Sequence, residues 1–199
     1  MPTALIIGAG PNIGKASAET FSAAGYHVAV ASRTQKLDAK FRYYAFDASK
    51  PETVPTLFEK VTADLGSPSV VIYISAAGHV SPPENPFDFE LDEFRNSADV
   101  NMTSPYYAAR EAVRGFEKLG PSGLGPEGGL ISVRWKRFYY LDEKHADGTY
   151  VTSDISGTGH AEEFLKLAKD SKQGPWNYTF VSGKGYTQFP HVESAPWKP

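Results

Sequence analysis

Cysteine is absent from this chain, which excludes a disulfide framework, a thiolate nucleophile and any cysteine-ligated metal. Charge of one sign is lacking as well. Its 20 basic and 23 acidic side chains leave a net of −3, so no overall field draws it to nucleic acid or to an anionic membrane. No apolar run approaches the roughly 20 residues that span a bilayer, and no charged-then-apolar leader opens the sequence. His27, His79, His145, His160 and His191 are scattered without ligand spacing, so no metal site is expected, and no G-x-S-x-G elbow is present. These exclusions lead to the expectation of a cytoplasmic protein. Its 199 residues are enough for a single domain over 1–199, with an irregular tail from about residue 190.

What is present alternates between strand-like and helix-like runs. TALII reads as a buried strand that enters a glycine turn and then a helix with Ile13, Ala16, Thr20, Phe21 and Ala24 on one face. YHVAVASR has the continuous small apolar character of a parallel strand covered on both sides. FRYYAFDAS and SVVIYISAAG read as two more strands, separated by a helix that Pro55 obliges to start near Thr53. The segment from Phe89 to Lys118 is predicted helical in two pieces meeting near Asn101 to Pro105, because proline disfavours helix just before it. GTGHAEEFLKLAKDSKQG reads as a last helix and WNYTFVSGKGYTQF as a last strand. The fold class is therefore α/β, a Rossmann-like doubly wound parallel sheet.

Gly8, Gly10 and Gly14, in GAGPNIG, fall between the first strand and the first helix, where a dinucleotide-binding turn belongs. Gly8 allows the tight turn, Gly10 lets the backbone approach a pyrophosphate, and Gly14 lets the helix pack closely on the sheet. The start of the helix offers free N–H groups and a partial positive charge. At the end of the second strand, NAD enzymes place an acid for the ribose 2′-hydroxyl. This chain instead has Ser32-Arg33-Thr34, whose guanidinium and hydroxyls suit a 2′-phosphate, so NADP is favoured over NAD. A solvated loop arginine is the competing reading. Asp47, ending the third strand, either meets the adenine edge or caps the next turn.

These residues, together with Ser75-Ala76-Ala77-Gly78 and the run Asp99 to Val113, resemble the short-chain dehydrogenase/reductase family over most of the chain. The family's glycine motif is Thr-Gly-x-x-x-Gly-x-Gly, and here Ile7 stands for the threonine and Asn12 for the middle glycine. Asparagine tolerates left-handed backbone, which makes that exchange mild. The resemblance implies cofactor contacts from Gly8, Gly10, Asn12, Ile13, Gly14, Ala76 and Gly78. It implies that Asn101 supports a proton-relay water, although bridging the kink before Pro105 is an equal alternative. It further implies a small-molecule substrate shaped by loops near 81–89 and 145–159, and pairing of subunits into a homo-oligomer.

Family members next carry a catalytic serine at the end of the fifth strand and a Tyr-x-x-x-Lys helix. In this chain GGLISV is followed after four residues, Arg134 to Arg137, by FYYL. Parallel neighbours need a connection of a dozen residues or more. The sheet is thus expected to be shortened by about one strand-helix unit, so that Leu130 to Leu141 form one long strand or one run leaves the sheet. Tyr140 and Lys144 match Tyr-x-x-x-Lys in spacing only, since they fall in a strand-like run and a polar loop. Ser132 is expected to be a core hydroxyl, and Arg134 to Arg137 a solvated strand face. Three readings stay open: an NADP(H)-dependent carbonyl reductase, a nucleotide-binding protein without redox chemistry, and a shortened product of a longer reductase.

Overall fold

The computed structural model describes residues 1–78, 81, 84–85, 87–123, 137, 139–170 and 172–189, with the backbone alone for 121–123. Strands β1 (Thr3–Ile7), β2 (His27–Ser32), β3 (Arg42–Ala45) and β4 (Val70–Tyr73) form a parallel sheet in the order β3-β2-β1-β4. Helix α1 (Ile13–Ala23) connects β1 to β2. Helix α2 (Val54–Leu65), entered through a 3₁₀ turn at Pro51–Thr53, connects β3 to β4. Pro55 stands in the first turn of α2, where its missing N–H costs nothing.

The β1 strand shows why the sheet is covered on both faces. Its five residues are all buried, and period-two alternation sends them into different cores. Leu5 and Ile7 join Val54, Leu57, Phe58 and Val61 of α2. Ala108, Ala112 and Phe116 of α4 (Ser104–Gly123) complete that core. Ala4 and Ile6 face Ala18 and Phe21 of α1, and Leu167 and Ala168 of α5 (Gly157–Lys169). The result is the Rossmann-like, doubly wound parallel arrangement read from the sequence.

The packing face of α1 is shifted from the expected one. Gly14, Ser17, Ala18 and Phe21 are buried, whereas Ile13, Ala16, Thr20 and Ala24 are half-buried. Helix α5 accounts for part of this, because it packs along α1 and small side chains let the two approach closely.

The helical segment before α4 is continuous: α3 (Leu91–Ala98) runs into α4 through a π-helical turn at Asp99–Thr103. The wider turn places the Ser104 N–H on the Asp99 carbonyl, so Pro105 ends no helix.

A second sheet holds β5 (Tyr140–Glu143), β6 (Asn177–Val181) and β7 (Gly185–Tyr186) in that order. β5 and β6 are parallel, and β6 and β7 form a hairpin. The single last strand expected from WNYTFVSGKGYTQF is therefore two, because Gly183 and Gly185 take φ of 76° and 80° and reverse the chain. Arg137 also departs from expectation. It is buried, and its Nη2 donates to the Ala168 carbonyl at 3.1 Å, in the last turn of α5. The rest of that basic run, GGLISV with Ser132, and the tail from 190 lie outside the described residues.

Candidate functional site: the cleft at the carboxyl ends of the strands

The turn after β1 is tied to the sheet by its own amides. Gly8 and Ala9 both donate to the Ala31 carbonyl, at 2.9 and 3.2 Å, and Ile74, just past β4, donates to the Ile7 carbonyl at 2.8 Å. Gly8 has φ +92°, and a Cβ there would stand 2.4 Å from the Ser75 nitrogen. A Cβ on Gly14 would stand 2.7 Å from the Ala9 Cα. At Gly10 the nearest atom to an added Cβ is the Gly8 carbonyl oxygen, 3.8 Å away, so the space before Gly10 is open. Two of the glycines are thus demanded by packing, and the third leaves a place for a ligand against bare backbone.

That space belongs to a cleft of about 540 Å³. Gly8, Ala9 and Gly10 form one wall, and Ser32, Arg33, Thr34 and Lys36 form the end beyond β2. Asp47, Ala48 and Ser49 line it after β3, and Ser75, Ala76 and Ala77 after β4. Sequence reasoning missed Lys36 and Ser75. Lys36 was legible as a second cation in the SRTQK loop, whereas Ser75 enters because its own backbone nitrogen and Oγ stand against Gly8.

Arg33 and Lys36 are exposed and make no ion pair among the described residues. Ser32 is already engaged, since its hydroxyl donates to the Thr34 carbonyl at 2.8 Å and its carbonyl accepts from the Tyr43 hydroxyl at 3.0 Å. Asp47 is the one carboxylate lining the described cleft, and it accepts from the Ser49 amide at 3.1 Å and hydroxyl at 2.9 Å. Burial acts to raise its pKa, yet the Ser49 bonds, with Lys50 and Arg33 nearby, hold it below the ordinary carboxylate value. Asp47 thus caps the turn that follows it, while still bordering the cleft.

The remaining candidates are not among the residues that line the cleft. Asn12 is at the start of α1 with φ −97°, so the left-handed backbone expected for it is not used. Its Nδ2 donates to the Ile155 carbonyl at 2.9 Å. Ile13 is half-buried and Gly14 buried beneath the turn. Gly78 borders a smaller cavity with Asp92, Glu93, Asn96 and Ser97. Asn101, in the π-helical turn, is bonded to the backbone of Ala77. Tyr140 and Lys144 are not brought together by a helix. Tyr140 opens β5 with 62% of its surface exposed, and Lys144 follows β5, bridged to Tyr150 with its Nζ 4.4 Å from that ring centre. Extended backbone separates the two by about 13 Å.

The family model for short chain dehydrogenases matches residues 2–124. This chain belongs to the short chain dehydrogenase family. A short chain dehydrogenase/reductase of Cryptosporiopsis sp. (strain 8999), dmxR12, is 33% identical over 234 residues, which take in 95% of this chain and 95% of the relative. A 7alpha-hydroxysteroid dehydrogenase of Clostridium sardiniense is 28% identical over 134 residues, covering 61% of this chain and 50% of that one. Among solved structures, an alcohol dehydrogenase from the archaeon Thermococcus sibiricus, complexed with 5-hydroxy-NADP, superposes with a TM-score of 0.67 at 20% identity. That match covers 95% of this chain and 100% of the other. A metagenomic short-chain oxidoreductase in complex with NADP gives 0.68 at 15% identity, covering 90% and 96%. At those identities the structural likeness is one of fold. The family assignment makes the chain a member of an oxidoreductase family with a nucleotide-binding Rossmann fold. No helix among the described residues is long and apolar enough to cross a membrane.

Proposed function

We propose that this protein binds NADP(H) in the cleft, with carbonyl or alcohol oxidoreduction as its ancestral chemistry. The observation that carries the reading is the charge at the end of β2. Arg33 and Lys36 line the cleft there without an ion pair among the described residues, and the single lining carboxylate, Asp47, is held by Ser49 with Arg33 acting on it only through space. A 2′-phosphate finds two cations and a threonine hydroxyl at that point, whereas an unphosphorylated ribose finds no acid to accept its hydroxyl. The open space before Gly10 suits the pyrophosphate, next to the first free amides of α1. The NADP complexes among the structural neighbours are in keeping with this. When bound, the nicotinamide supplies or accepts a hydride.

One observation favours a second reading, a nucleotide-binding protein without reductase chemistry. All eleven tyrosines of the chain lie among the described residues, and none lines the cleft. A reductase of this type needs an acid for the developing alkoxide. The alignment with dmxR12 runs over 234 residues, more than the 199 of this chain, so it contains gaps opposite residues that this chain lacks. A difference of that size is what the loss of a strand-helix unit would leave.

Fluorescence titration with NADPH and NADH tests the cofactor reading. NADPH is expected to bind more tightly, and Arg33→Ala to weaken it by about 10- to 100-fold, the range for a charge-assisted contact, while leaving NADH within about twofold. Equal affinities for both dinucleotides, or an indifferent Arg33→Ala, would remove the basis for NADP. NADPH oxidation with a panel of reactive aldehydes and ketones then separates the two readings, and turnover would reject the second.

A further inference from the structure

Asn12 stands where the family has a glycine, and its side chain does not cap its own helix, although asparagine is among the better capping residues. It reaches instead across 143 positions of sequence to the Ile155 carbonyl, 2.9 Å from its Nδ2. Helix α5 begins two residues later. There Gly157 lies so close to Asn12 that an added Cβ would be 2.2 Å from its Oδ1 and 2.9 Å from its backbone carbon. Ser156, between the two contacts, is fixed from the far side. Its N–H donates to Glu143 Oε2 at 2.9 Å, its Oγ caps α5 by accepting from Gly159 at 2.9 Å, and its carbonyl is 3.0 Å from His160 Nδ1. Glu143 is buried at the end of β5. The turn before α1 and the loop from Lys144 to Ser156 therefore share one seam, and Asn12 is the turn's side of it.

We propose that Asn12 is a positioning residue that couples the nucleotide turn to the β5–α5 loop, so that occupancy of the turn by the pyrophosphate of NADP(H) and order in that loop stabilise each other. The coupling rests on the cofactor reading above. It follows from linkage: if the clasp holds the turn in the shape the ligand binds, the ligand must in return hold the loop by the same factor. Gly10 leaves the turn open, with nothing near its missing side chain but the Gly8 carbonyl, so the clasp at Asn12 is the long-range side-chain hydrogen bond described for this turn.

Hydrogen exchange of the full-length protein, read at the amides of 150–159 with and without saturating NADPH, tests this against Asn12→Ala. In the apo protein Asn12→Ala is expected to speed exchange at these amides severalfold with little change elsewhere. NADPH is expected to slow them in the parent and to lose most of that effect in the variant. NADPH affinity should fall about fivefold, which is what one neutral hydrogen bond carries. Adenosine 2′-phosphate, a probe that lacks the pyrophosphate, should bind both proteins equally, an outcome that general damage to the fold would not give. Unchanged apo exchange in Asn12→Ala overturns the clasp. Binding of NADPH with no effect on exchange in the parent overturns the coupling. Failure of the parent to bind NADPH at all sinks the cofactor reading and the coupling together, and the apo comparison still decides the clasp.

Discussion

The Asn101 carboxamide holds the backbone of Ala77 from both sides: its Oδ1 accepts from the Ala77 N–H at 3.1 Å, and its Nδ2 donates to the Ala77 carbonyl. Ala77 follows β4 and lines the cleft, and Asn101 sits in the π-helical turn that joins α3 to α4. The pair thus fixes the β4 wall of the cleft to the helix that covers it. Asn101→Ala should lose about 1–2 kcal/mol in urea unfolding, the sum for two modest hydrogen bonds, and should also weaken NADPH. An unchanged unfolding midpoint would show that the clasp contributes nothing.

Three glycines are predicted to separate by surroundings. Gly14→Ala places a methyl 2.7 Å from the Ala9 Cα, backbone that cannot swing aside, and should cost about 1–3 kcal/mol as overpacking does. Gly8→Ala combines contact at 2.4 Å from the Ser75 nitrogen with φ +92° and should cost more than Gly14→Ala. Gly25→Ala meets nothing within 4 Å and has only its φ of +86° to bear, so about 1–2 kcal/mol is expected. Thermal melts should rank Gly8→Ala below Gly14→Ala and Gly14→Ala below Gly25→Ala, and Gly25→Ala as the worst of them would contradict the assignment.

The strands of the first sheet were legible because burial on both faces writes itself as unbroken apolar runs, TALII and HVAVAS above all. The glycine turn was legible because each glycine answers a local demand. The face of α1 was not, because α5, contributed from far along the chain, decides which small residues are half-covered. The hairpin β6–β7 hid in a run that looked like one strand, since positive φ at Gly183 and Gly185 is a property of the fold more than of the pattern. Asn12 was read through its family position as a backbone substitute, and nothing local announced that its side chain would be used at Ile155. Arg137 looked solvated from its neighbours in sequence and is buried against α5.

Stability is expected to fall on the alkaline side through three tyrosines. Burial raises the Tyr44 hydroxyl to about 12, and its bond to Asp64 adds to this. Burial raises Tyr73 to about 12 against a small opposing effect of Ser104. Tyr178 is raised further by burial and by the Glu163 carboxylate, to which its hydroxyl donates at 2.6 Å. A folded pKa above the unfolded one gives stability that is whole below the unfolded value of about 10 and is lost as pH rises beyond it. The melting temperature should therefore decline from about pH 10 upward, and these phenols should ionise only as the chain unfolds. Tyr178→Phe should flatten the decline. Phenolate absorbance that rises to completion while the fold is intact would contradict this.

Tyr140 and Lys144 are the remaining test of chemistry. Tyr140 pairs with Asn177 at the start of β5, away from the end where Glu143 accepts from the Ser156 N–H. Lys144 lies against the rings of Tyr150 and Phe189, so its ammonium has a structural use. Tyr140→Phe is expected to leave both NADPH affinity and stability unchanged, within about 0.5 kcal/mol, as for an exposed surface exchange. Lys144→Gln is expected to cost up to about 1 kcal/mol through the lost cation–π contact, with no effect on the cofactor. If the parent protein turns over a carbonyl substrate and Tyr140→Phe abolishes this while NADPH still binds, the phenol must reach the nicotinamide by a rearrangement of β5. The nucleotide-binding reading without redox chemistry would then fall.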